Sequence, residues 1–183
     1  MPKLDLSAIP MREGCGYPAP YHEPCAGRTR QRLGDAGGLK DFGVNLMTLP
    51  PGGWSSQRHW HSHEDEFVYV LEGELTLVED EGETLLRAGD CAAFPKSTGN
   101  GHHMKNLSPT VAVYLEVGSR QREDLTTCSD VDIKSANADG RRAQGRFAVS
   151  VSALPLAHRP GASAPPRFSH IAEFFLNRAH PPP

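Results

Sequence analysis

The chain has 183 residues, 38% of them hydrophobic and 22% charged, as in one globular domain with a sizeable core rather than a disordered chain. Its formal net charge of -3 leaves no basic footprint for nucleic acid. No apolar run approaches the roughly 20 residues that span a bilayer, and MPKLDLSAIPMREG has no apolar signal core, so no membrane partner and a cytoplasmic location are expected.

Residues 1–40 are rich in Gly and Pro and form an expected N-terminal arm packing on the domain. The arm carries RTRQR, in which Arg28, Arg30 and Arg32 share one face if the segment is a strand. Such a face could hold an anion, though a solvated or acid-paired strand edge is the more ordinary role. Cys15, Cys25, Cys91 and Cys128 form no CxxC pair, and reduced thiols are expected in the cytosol. Cys91 is expected as a small buried side chain.

From residue 41 to 120 short β-type runs alternate with turn residues. GVNLMTL (43–49), EFVYVL (66–71), ELTLV (74–78), ETLLR (83–87), CAAF (91–94) and VAVYLEV (111–117) are each closed by Gly, Pro or an acidic turn. This spacing predicts a β-sandwich or barrel, and no long 3.6-period segment interrupts it. FVYVL is apolar at five consecutive positions, so both faces of that strand need cover. A second copy of the chain is the economical source, which predicts a homodimer; residues 1–40 are the alternative. Residues 121–140 are expected to extend the barrel. Residues 141–183 form an Ala/Pro/Arg-rich tail, with a possible strand at 146–153 and a short helix at 169–180.

The chemistry concentrates in HWHSHEDE, His59 to Glu66. Residues i and i+2 of a strand project to one face about 6.6 Å apart, so His59 and His61 can lean onto one ion. Glu66 has the wrong parity for a straight strand, and a corner in SHED would bring its carboxylate back beside them. A histidine from GHHMKN would complete three nitrogens and one oxygen, a mix that suits divalent Zn, Mn, Fe, Ni or Cu. His63 is expected in a surface turn. Glu64 and Asp65 show no spacing that assigns them acid–base roles. Small Ala93 is a candidate inward residue, and Tyr69, Tyr114 and Met104 are candidates to line or flank a pocket.

The pattern Gly53, His59, His61, Glu66, Gly73, followed by Gly89, Pro95, Gly99, His102 and Asn106, resembles the two motifs of the cupin superfamily. RHWHSHEDEFVYVLEGE is further similar to small bacterial single-domain cupins. The resemblance spans roughly residues 4 to 140. It implies an all-β cupin jelly-roll barrel, a double-stranded β-helix, with metal ligands His59, His61, Glu66 and His102. The second motif is two residues longer than the family pattern between Pro95 and Gly99, so His102 and His103 both stand near the last donor position. The matched position is His102, with His103 turned outward. The resemblance implies a divalent metal ion and a small-molecule substrate or ligand. Oxygenase, isomerase or decarboxylase chemistry is compatible with it, and so is a non-catalytic sensor or binding barrel.

Overall fold

Residues 3–138 and 141–142 are described in the computed structural model of the chain; the tail features expected at 146–153 and 169–180 lie outside the described residues. Thirteen strands are formed among them. In order they are β1 (Met11–Glu13), β2 (Thr29–Arg32), β3 (Phe42–Leu49), β4 (His59–His61), β5 (Glu66–Glu72), β6 (Glu74–Glu79) and β7 (Gly82–Arg87). They continue as β8 (Cys91–Phe94), β9 (His103–Lys105), β10 (Ala112–Ser119), β11 (Leu125–Cys128), β12 (Lys134–Ala138) and β13 (Arg141–Arg142). The one α-helix among the described residues, α1 (Leu33–Ala36), is a single turn. The predicted apolar runs all appear as strands, because their Gly and Pro boundaries stop each ladder within a residue or two of the expected place.

All pairings are antiparallel. One wall of the barrel has the order β1-β2-β3-β10-β5-β8. The other consists of β7-β6-β9 and β13-β12-β11-β4, joined through a bridge between His59 and His102. Side chains from both walls meet in one core: Met47, Leu49, Val68 and Val70 from the first, Leu75, Leu77, Leu86 and Met104 from the second. Burying each contributes about 2 kcal/mol.

Strand β5 divides its apolar run between two environments. Val68 and Val70 are buried, while Phe67, Tyr69 and Leu71 on the outer face are 38–40% exposed. Strands β1 and β2 extend the same sheet from its far edge, so this part of the arm does not cover the outer face of β5. Strand β2 also corrects an expectation about the arginines. It lies inside the sheet between β1 and β3, not at an edge. Arg28 donates to the carbonyls of Gly14 and Ser55, and Arg32 pairs with Asp35.

Two expectations on β8 are also corrected. Cys91 and Ala93 are exposed on its outer face, opposite Tyr69 and Phe67. The alternation of the strand sends Phe94 inward instead. All four cysteines are free thiols. Among the described residues, no helix is long and apolar enough to cross a membrane.

Candidate functional site

Strand β4 is only three residues long, but it is held on both sides. Its register with β11 pairs Thr126 with His61 and Cys128 with His59. On the other side, His59 and His102 exchange backbone hydrogen bonds of 3.1 and 2.9 Å. Residues 62–65 form the corner required by parity. There the Ser62 amide donates to Leu125 and the Asp65 carbonyl accepts from Ser119. The chain re-enters the barrel at Glu66, the first residue of β5.

Four sequence-predicted side chains are brought together by this path. Glu66 Oε2 stands 3.0 Å from His102 Nε2, 3.4 Å from His61 Nε2 and 3.8 Å from His59 Nε2. One donor atom each from His59, His61 and Glu66 lies within 4.8 Å of the others. His103 takes the opposite side of its strand, as expected, but it is not at the surface. It is buried edge-on against Trp54, and its Nδ1 lies 2.9 Å from the Ser56 carbonyl. His63 is an exposed corner residue.

The far nitrogens of two imidazoles are anchored. His59 Nδ1 donates to the Gln57 carbonyl at 2.8 Å, which leaves its Nε2 lone pair directed at Glu66. His61 Nδ1 donates to Asp124 Oδ2 at 2.6 Å. Asp124 also accepts from the His63 amide at 2.9 Å and from the Ser62 hydroxyl at 3.3 Å. His102 stacks on Phe94 with ring centroids 3.6 Å apart and planes 2° from parallel. Each ring is thus fixed in orientation by a neighbour, as metal-binding imidazoles require.

The electrostatics follow from burial and from this clustering. Burial, reinforced by His102 and His61, pushes the His59 imidazole down to about 4 against the pull of Glu66, so it is neutral at pH 7. Burial alone would raise the Glu66 carboxyl. The hydrogen bond from His102 and the three imidazoles outweigh it and hold Glu66 well below the usual carboxylate range. Burial opposes protonation of His61, but Asp124, Glu66 and Glu64 together raise it. Asp124 is lowered to about 2, because its hydrogen bonds to His61 and His63 overcome its burial.

The compact set of His59, His61 and Glu66 donors, with His102 Nε2 3.0 Å from Glu66, is of the nitrogen and oxygen type that fits a divalent transition metal. A second group, His61, Glu64 and Asp124, is equally compact and fully buried. It shares His61: Asp124 accepts the hydrogen bond from Nδ1 at 2.6 Å, and Glu64 Oε2 stands 3.8 Å from the same nitrogen. Glu64 Oε1 accepts from the Gln121 amide at 2.9 Å.

The donors open onto a small cavity. Ser55, Ser56, His59, Glu66, His102 and Glu116 supply its polar wall, and Val68, Phe94 and Met104 the apolar one. Of the aromatic and Met candidates, Met104 lines the cavity, Tyr114 is in the core and Tyr69 faces outward. Two carboxylates were missed in the sequence. Asp124 gave no signal, because only the pairing of β11 with β4 carries it to His61. Glu116 did give one: it has the parity of the core residues Ala112 and Tyr114, so it stands on the inward face of an apolar strand.

Two antiparallel walls closed over one core, with a histidine–carboxylate cluster between them, define a jelly-roll barrel with an interior candidate site. The Cupin domain family profile matches residues 45–118. The crystal structure of a sugar phosphate isomerase from a cupin superfamily, from Silicibacter pomeroyi, is 44% identical, covers 85% of this chain and 98% of its own, and superposes with a TM-score of 0.75. The chain belongs to the cupin superfamily. A protein from Acidithiobacillus ferrooxidans, given the same isomerase name provisionally, is 28% identical over 73% of this chain and 83% of its own, with a TM-score of 0.62. A polyketide cyclase from Streptomyces resistomycificus, 19% identical over 66% of this chain and 80% of its own with a TM-score of 0.53, shares the fold. No curated protein matches the chain.

Proposed function

We propose that this protein is a metal-dependent isomerase of a small phosphorylated sugar, with His59, His61, Glu66 and His102 holding the ion. The observation that carries the reading is the convergence of three imidazole Nε2 atoms on one Glu66 oxygen inside a cavity. The substrate class is supported by the 44% identical relative named as a sugar phosphate isomerase. A divalent ion bound there supplies a Lewis acid for a carbonyl oxygen.

The chain's own residues do the rest. Val68, Phe94 and Met104 keep one wall of the cavity dry, and the Ser55 and Ser56 hydroxyls offer hydrogen bonds to sugar hydroxyls. No Lys or Arg lines the cavity among the described residues. The hydroxy-carbonyl end of the sugar therefore enters, and the phosphate stays at the mouth.

The test starts from protein purified without added metal. Elemental analysis should find close to one divalent ion per chain. The protein should interconvert aldose and ketose forms within a panel of pentose and hexose phosphates, and chelation should stop it until an ion is returned. Metal-loaded protein that leaves every sugar unchanged refutes the isomerase reading and favours a binding barrel.

A second copy of the chain is proposed as the cover for Phe67, Tyr69 and Leu71. Three large apolar side chains in a row on one sheet face support it.

A further inference from the structure

Glu116 is the one ionisable side chain lining the cavity, among the described residues, that does not belong to the donor cluster. Its position is set by register. Strand β10 pairs Gly118 with Glu66 and Glu116 with Val68, so Glu116 and Glu66 are diagonal neighbours, roughly 7 Å apart at the backbone. That separation keeps Glu116 out of the ligand set and directs it into the same cavity. On its other side it pairs with Asn45 of β3, whose Nδ2 donates to Oε1 at 2.9 Å. Oε2 has no hydrogen-bond partner among the described residues.

A fixed carboxylate with one free oxygen, one pleat from the ion's ligands, has the placement that aldose–ketose exchange demands. An ion held by His59, His61, Glu66 and His102 would polarise the carbonyl, and a separate base must move a proton between adjacent carbons.

We infer that Glu116 is the general base of the isomerisation, an assignment that rests on the isomerase reading above. The Glu116 carboxylate takes the proton from the carbon that bears the hydroxyl next to the carbonyl. The electrons of that C–H bond form a carbon–carbon double bond, and the carbonyl π electrons move onto its oxygen, giving an enediolate. The hydroxyl proton then passes between the two oxygens. The double bond takes back the proton from Glu116 at the former carbonyl carbon, and the second oxygen becomes the new carbonyl. Nothing is consumed, and Glu116 ends as the carboxylate. Asn45 is a positioning residue that keeps Oε1 occupied and Oε2 turned to the cavity.

The decisive variant is Glu116→Gln, assayed on whichever sugar phosphate pair the wild type interconverts. Turnover should fall about 100-fold or more, with metal content and melting temperature unchanged. Turnover within about threefold of wild type overturns the assignment, and so does loss of the metal along with the activity, which would make Glu116 part of the ion's support. If Glu116→Gln does not fold, Glu116→Ala in formate buffer decides the matter. Turnover that rises with formate supports a missing base, and turnover independent of formate refutes it. A wild type that interconverts none of the sugars marks the failure of the parent reading and removes this assignment with it.

Discussion

Replacing Asp124 by Asn tests the link between the histidine cluster and its supports. The Asp124 side chain is 1% exposed and holds His61 Nδ1 at 2.6 Å. Asn keeps the shape but removes the charge, so His61 retains at best a neutral acceptor. In the metal-free protein the carboxyl is lowered from 3.8 to about 2. At about 1.4 kcal/mol per tenfold change in proton affinity, that lowering corresponds to about 2 kcal/mol of stability. A depressed carboxyl stabilises above its unfolded value, so the contribution is fully present at neutral pH and is lost as pH falls from near 4 through about 2. Urea unfolding of chelator-treated protein should show Asp124→Asn about 2 kcal/mol less stable at pH 7. The gap should close progressively below about pH 4. Competition with a chromophoric chelator should show metal affinity weakened about 10- to 100-fold, because the orientation of His61 is no longer enforced. Unfolding curves that coincide at pH 7, together with equal metal affinity, would refute this role for Asp124.

Further outcomes are expected. His59→Ala, Glu66→Ala and His102→Ala should each strip most of the metal while far-ultraviolet circular dichroism still reports a β-protein; full occupancy in a variant removes that residue from the ligand set. Gly73→Ala should destabilise by about 3 kcal/mol, because φ is +72° and the added Cβ would stand 2.7 Å from the Val111 carbonyl oxygen. A urea midpoint unchanged from wild type would contradict the close approach of β10 at this turn. Tyr69→Glu should convert a two-chain particle into a folded single chain by light scattering, and a wild type that already runs as one chain would dismiss the outer face of β5 as an interface.

Much of the site was legible because its geometry is local. The alternation of His59 and His61, and a corner before Glu66, follow from strand parity and hold wherever that strand lies. The choice between His102 and His103 needed the barrel. Only the backbone bridge from His59 to His102 shows that His102 faces Glu66, while His103 is buried on the other side against Trp54. Cys91 and Ala93 were misjudged for the same reason. In a four-residue strand with apolar residues at every position, composition does not distinguish the two faces. Pairing with the exposed side of β5 does.

The sequence by itself determined the β architecture, the two motifs and the donor types, because turn chemistry, period-two alternation and short ligand spacings act within a few residues. Tertiary structure alone decided that Asp124 reaches His61 and that Glu116 faces the cavity beside Glu66. Those contacts join residues 50 to 63 positions apart, and their distance is set by strand register across the barrel, which no local spacing encodes.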